Sequence, residues 1–381
     1  CVSSNIGEGG RSLMQIDARQ SSKLADTCIL GRNRERESNI ELFRIILMLS
    51  IVAHHYVVNS GVFSLCDNGL RGLVLLCFGA WGKIAINCFI LITGWFMCDR
   101  EITVGKFFRL FGQIVFWNVA CGLAFLTFGR MSFSFDWLMK SVFPFSGMNS
   151  SFAGAFLAFF LLIPFLNVLI RNITKRQYQF LLVVLLVTFS GFAFLRDYRI
   201  VINYVEWFCI VYLVGAYLRL YPHRLIDRPR MTFCLAAVLI LGVLTSVVAM
   251  SRLVPGGYAY YFTVDSNKPS ALVAAVFLFL CFKNLRIRYS RVINLLASTT
   301  FGVFLIHANS DVMRNWLWED VCRCVDWYDT AYCVPHAFVC VVMVFLVCSF
   351  LETGRRCIVK SFRLDEILRH RAGKAYKEIR K

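Results

Sequence analysis

The sequence predicts an all-α fold, a polytopic membrane helix bundle of about ten transmembrane helices. Three observations carry this. Hydrophobic residues make up 58% of the 381-residue chain and charged residues only 17%, with a mean hydropathy of +0.62, well above that of an ordinary globular domain. Apolar stretches of about 20 residues, enough to cross a hydrocarbon core, recur along most of the chain. The connections between them alternate between rich and poor in Lys and Arg, as retention of basic residues on the cytoplasmic side requires.

Residues 1–38 are polar and mixed in charge and contain no apolar run of signal-peptide type, so they read as a disordered cytoplasmic tail. Spans are expected at roughly 40–58, 73–98, 107–128, 151–169, 179–195, 203–220, 232–250, 269–284, 294–313 and 335–352. The second is long enough to tilt or to begin as an interfacial segment near Leu70–Gly79. Between the third and fourth, Trp137, Phe143, Pro144 and Phe145 mark residues 133–150 as an amphipathic element at the outer surface. The transmembrane domain is thus expected over 39–355, followed by a basic cytoplasmic tail over 356–381.

With the N-terminus inside, 30 of the 41 Lys and Arg fall on cytoplasmic segments and 9 on outer ones, while Arg44 and Lys83 lie within spans. A wrong span count would scramble that alternation. Both termini are therefore expected in the cytoplasm, with loops near Asp67, Ser146, Asn203, Asp265 and Asp326 outside. The same distribution accounts for the formal net charge of +18: the basic residues lie beside anionic membrane lipid, and no nucleic-acid partner is read.

The 16 cysteines are scattered, many within spans as small apolar residues, and none has the spacing of a metal site. Cys66, Cys322, Cys324 and Cys333 fall on expected outer loops, where a disulfide and free thiols are both allowed. No Gly-rich nucleotide loop, nucleophile elbow or internal repeat is visible. Chemistry must then come from polar residues inside the membrane, each costly to keep there.

The first span holds the strongest set. Ser38 and Glu41 have capping-box spacing, which starts the helix near Ser38 and accounts for Glu41. Arg44 lies about one turn inside the cytoplasmic end, where snorkelling to headgroups would also explain it. His55 follows eleven residues later; eleven steps of about 100° return to within roughly 20° of the same face, displaced by roughly 16 Å. Arg44 and His55 share a stripe. Asn59 rejoins it one turn on, whereas His54 points about 100° away. Hydrogen bonding to neighbouring helices is the plainer role for either histidine.

Lys106 and Arg109, three residues apart at the cytoplasmic start of the third span, are neighbours on one helix face. Snorkelling covers them too. With Arg44 they would make an inward-facing phosphate pocket. Three positions carry weaker signals: His307, in the outer half of the ninth span; Glu352, beside Arg355 and Arg356, where a local ion pair suffices; and Lys83, read as snorkelling to the outer interface.

These residues resemble a known family. The run from Glu41-Leu42-Phe43-Arg44 to His54-His55 looks like the opening helix of the acyltransferase-3 family of bacterial membrane acyltransferases, in which an Arg is followed eleven residues on by an essential His. By that spacing His55 takes the family position. The resemblance continues through Asn87 to Phe96, Pro164 to Asn167, Tyr212 to Tyr217 and Thr300 to His307, and so covers residues 38–363. Where the family has Arg-x-x-Arg after the second span, this chain has Lys106-Phe107-Phe108-Arg109, which keeps the charge and weakens bidentate phosphate contact.

The resemblance implies a multi-pass enzyme of the bacterial cytoplasmic (inner) membrane, an acyl-CoA-dependent acyltransferase with no permanently bound cofactor and no metal. It would move an acyl group, expected to be acetyl from acetyl-CoA, to a hydroxyl of an envelope or exported polysaccharide or glycolipid. Arg44, Lys106 and Arg109 would bind the CoA phosphates, His55 with Arg44 would be catalytic, and His54, Asn59 and His307 would lie on the acceptor side. Some family members carry a fused extracytoplasmic hydrolase-like module. About 29 residues follow the last expected span, so the chain is expected to complete transfer itself or to pass the acyl group to a separate extracytoplasmic transferase partner. A transporter or flippase for a lipid-linked glycan is the alternative, and it predicts paired broken helices and internal pseudo-symmetry.

Overall fold

Ser38 opens the first helix, as the spacing predicts, but its hydroxyl serves another part of the chain. It accepts from the Ser290 backbone N–H at 2.9 Å and donates to Asn294 at 3.3 Å, while Glu41 faces Arg44 at 3.9 Å. The bond tethers this end to the start of a helix that begins at Arg291. The computed structural model describes residues 37–147, 151–194, 203–224, 227–254 and 258–361. The expected N-terminal tail, and the C-terminal tail beyond residue 361, lie outside the described residues.

The helices, in chain order, are α1 (Ser38–Val58), α2 (Leu70–Gly79), α3 (Gly82–Met97), α4 (Val104–Thr127), α5 (Phe135–Val142), α6 (Phe152–Asn172), α7 (Lys175–Phe189), α8 (Tyr204–Leu220), α9 (Pro229–Leu253), α10 (Pro269–Asn284), α11 (Arg291–His307) and α12 (Cys333–Ser361), with shorter turns between them. Among the described residues there is no strand. Each of the ten expected spans coincides with a helix. Among the described residues, seven are long and apolar enough to cross a membrane, counting α2 and α3 as one, or eight with the bent pair formed by α11 and Asp311–Val321. At 17 and 16 residues, α8 and α10 are shorter, reaching only about 24–26 Å of the roughly 30 Å core. Length and composition thus carry seven or eight spans where ten were expected.

Two boundaries differ from expectation for local reasons. The second span breaks at Ala80 and Trp81. The ninth stops at His307, where the chain turns by 100° and Ser310 caps the next turn by accepting from the Met313 N–H at 3.2 Å. His307 therefore ends a helix instead of sitting inside one.

α1 occupies the middle, packed against α2, α3, α10, α11 and α12. α3 and α8 approach most closely through facing glycines. A Cβ on Gly94 would collide with the Tyr212 carbonyl oxygen, and one on Gly215 would stand 2.6 Å from the Leu91 carbonyl oxygen; small residues allow such contact in membrane bundles. Asn167 on α6 donates to the carbonyl of Met97, the last residue of α3, at 3.0 Å and accepts from the Tyr212 hydroxyl at 2.6 Å. Asn87 donates to the Ser266 carbonyl at 2.7 Å and accepts from Trp207 at 2.8 Å. The motif residues of the sequence are therefore joints between helices. Outward-facing Phe165, Phe180 and Phe350 are largely exposed, an arrangement suited to lipid and not to water.

Candidate functional site

The break between α2 and α3 brings backbone close to the paired histidines. Gly79 closes α2, and its carbonyl lies 2.6 Å from His54 Nδ1. Gly82 opens α3, and a Cβ there would run into the His54 ring. His54 is thus held by the two ends of a broken span. His55 faces elsewhere, as helical geometry predicts: its Nδ1 is 3.1 Å from Nε2 of His307 on α11. His307 is buried, and its Nδ1 is 2.6 Å from the Val303 carbonyl one turn earlier.

That chain of contacts assigns the protons. A carbonyl only accepts, so His307 carries hydrogen on Nδ1 and, as a neutral imidazole, a lone pair on Nε2. The His55 contact then has Nδ1–H as donor, which leaves Nε2 of His55 with its lone pair. By the same reasoning the Gly79 carbonyl fixes His54 with hydrogen on Nδ1.

Both His54 and His55 line a cavity of about 1280 Å³, together with Asn59 from the same helix. His307 stands behind His55 and does not line it. The cavity lining runs from the buried Ile51 and Ile114 to Asp136, Lys140, Ser146 and Arg314, residues on segments expected outside the membrane. The amphipathic helix α5 forms one wall: Trp137 packs where a Cβ on Gly122 of α4 would otherwise stand. Ser134 caps α5, accepting from the Trp137 N–H at 3.1 Å. Asn118 on α4 accepts from Asn309 at 3.2 Å and joins this wall to the chain beyond α11.

The expected donor-side cations lie apart from this cavity. None of Arg44, Lys106 and Arg109 lines it. Half-buried Arg44 faces Glu41, and exposed Lys106 donates to the Glu101 carbonyl at 3.0 Å. Arg109 is exposed on the same helix as Lys106. The structure brings His55, His54 and Asn59 together, with His307 against His55.

Glu352 is fully buried between Arg355 at 2.7 Å and Arg356 at 2.8 Å, as its neighbours in sequence imply. Less expected are Trp117 at 2.8 Å and Gln113 at 3.1 Å, donated from α4. Gly302 makes room for the carboxylate, since a Cβ there would stand 2.5 Å from its carbon. Cys66, Cys322, Cys324 and Cys333 are free thiols, so the disulfide that sequence allowed is not formed. Burial, with Cys333 and Asp67 nearby, pushes the Cys66 thiol up to about 12, which suppresses the reactive thiolate. No cluster among the described residues is arranged to hold a metal.

Sequence reading missed Lys83 as a cavity residue, along with Tyr204 and Asn118. Only Lys83 carried a usable signal, an ionisable group within a span.

The chain matches no curated protein and no solved structure. The acyltransferase-3 family model, described as an acyltransferase domain, matches residues 37–353, which includes every element around the cavity. With several membrane-length helices among its described residues and that match over most of its length, the chain belongs to the acyltransferase-3 family and is a multi-pass membrane acyltransferase.

Proposed function

We propose that the protein is an O-acyltransferase, using cytosolic acyl-CoA, most simply acetyl-CoA, and a hydroxyl of an envelope or exported carbohydrate. The observation that supports this reading best is the series Val303 carbonyl, His307, His55. It holds one imidazole through Nδ1 and leaves a basic Nε2 on a side chain that borders a large cavity.

In this reading Nε2 of His55 takes the proton of the acceptor hydroxyl as its oxygen attacks the thioester carbonyl. The carbon–sulfur bond then breaks, and the departing CoA sulfur receives the proton from the imidazolium. His307 accepts the Nδ1–H hydrogen bond throughout, keeping the tautomer and steadying the charged ring, a role akin to that of the third member of a hydrolase triad.

Arg44, Lys106 and Arg109 are assigned to the CoA phosphates at the cytoplasmic end. α1 is continuous from Ser38 to Val58, so Arg44 and His55 keep their separation of roughly 16 Å along the axis, compatible with an extended pantetheine arm. The acceptor enters from the opposite, extracytoplasmic end. The reading places the protein in a bacterial cytoplasmic membrane with both termini inside.

Mass spectrometry of envelope glycans from cells with and without the gene tests it. An ester present only when the gene is present is expected, its mass giving the acyl group. Identical glycans in both strains, together with no CoA release by the purified protein, would refute the proposal.

A further inference from the structure

Among the described residues, more basic than acidic side chains line the cavity beside His55. Apart from histidine, its charged lining among the described residues consists of Lys83, Lys140, Lys268 and Arg314 against Asp136 and Asp311. Both carboxylates are engaged locally. Asp136 pairs with Lys140 at 2.7 Å, and Asp311 pairs with Arg314. Lys268 is buried, donating to the Ala193 carbonyl and standing 4.5 Å from the Tyr261 ring centre.

Lys83 differs. It is half-buried and has only neutral partners among the described residues: its Nζ donates to the Tyr204 hydroxyl at 2.7 Å and lies 5.4 Å from the centre of that ring. An ammonium within a span is costly and marks a functional position where no counter-ion accompanies it. An incoming anion would supply the missing charge. The Tyr204 oxygen accepts from Lys83 and so keeps its own O–H to donate, leaving two donors side by side. The backbone that carries Lys83 is fixed against the histidines, because the preceding residue is the Gly82 on which His54 packs.

We propose that Lys83, with Tyr204, binds an anionic group on the carbohydrate acceptor, a carboxylate or a phosphate, and in doing so turns a hydroxyl toward His55. The role of His55 here rests on the transferase reading; the anion site does not. A neutral sugar leaves Lys83 unmatched, so the acceptor class is an acidic or phosphorylated glycan.

The full chain in phosphatidylcholine nanodiscs, whose headgroups add no net charge, is titrated with methyl glucuronide, glucose 1-phosphate and methyl glucoside. At least one acidic probe is expected to bind about tenfold or more tightly than the neutral one, a difference weakened by added salt; which acidic probe it is separates carboxylate from phosphate. Lys83→Gln should abolish the preference and Lys83→Arg should retain it. Equal binding of acidic and neutral probes, no binding of any, or an unchanged preference in Lys83→Gln overturns the proposal. Because the probes include no donor, normal acidic-probe binding by a chain that transfers no acyl group would refute the transferase reading and leave the anion site standing.

Discussion

His55 Nδ1 stands 3.1 Å from Nε2 of His307, 252 residues further along the chain, whereas the adjacent His54 bonds a backbone carbonyl at the end of α2. Two neighbouring histidines thus have different supports, and mutation separates them. His55→Ala should abolish acyl transfer at normal protein level, a loss on the order of a hundredfold or more. His54→Ala should retain partial activity. A product assay on both purified variants decides; full activity in His55→Ala would remove the histidine mechanism.

His307 acts through His55 and does not line the cavity, so its loss should fall on kcat. His307→Ala is expected to lower kcat by about ten- to a hundredfold, since the His55 tautomer and orientation lose their support, while acceptor KM changes little. His307→Gln, which can still accept from Nδ1–H, should recover part of the rate. A rise in KM with unchanged kcat would move His307 from positioning the base to binding the acceptor.

Donor binding should depend on the cytoplasmic cations. Arg44→Ala, and less severely Arg109→Ala and Lys106→Ala, should weaken apparent acyl-CoA affinity without impairing membrane insertion. Arg44 is the most enclosed of the three, and a charge-assisted contact there is worth about 1.5–3 kcal/mol. Unchanged donor affinity in all three purified variants would remove the cluster from the mechanism.

Gly302→Ala is predicted to be a stability mutation. Its added carbon would press on Glu352, whose carboxylate is held by α4 and by two arginines of α12. Overpacking of this kind costs about 1–3 kcal/mol, visible as a lower melting temperature in detergent. Gly354→Ala, on α12 with open space around the position, is the control and should melt close to wild type.

Topology is tested by reporter fusions. Both termini are expected in the cytoplasm, and insertions near Asp67, Ser146 and Asp265 should report outside. An external C-terminal fusion would reject the orientation and reverse the sides assigned to donor and acceptor.

Much of the architecture was legible in the sequence because membrane insertion is governed by local properties. A run of apolar residues and the charges flanking it set a helix, its approximate ends and its expected orientation without reference to the rest of the chain. The α-helical period likewise put Arg44 and His55 on one stripe and turned His54 away. Motif residues such as Gly94, Asn167 and Gly215 were visible as motifs, yet their use as joints between helices was not, because their partners are long-range carbonyls. Only the tertiary structure decided that α11 ends at His307 and delivers it to His55, that the α2–α3 break seats His54 and exposes Lys83 to the cavity, and that α5 walls the cavity. The physical reason is common to all three. Each depends on how helices distant in sequence pack at a given depth, and hydropathy is a property of a segment, while a hydrogen bond between His55 and His307 is a property of two.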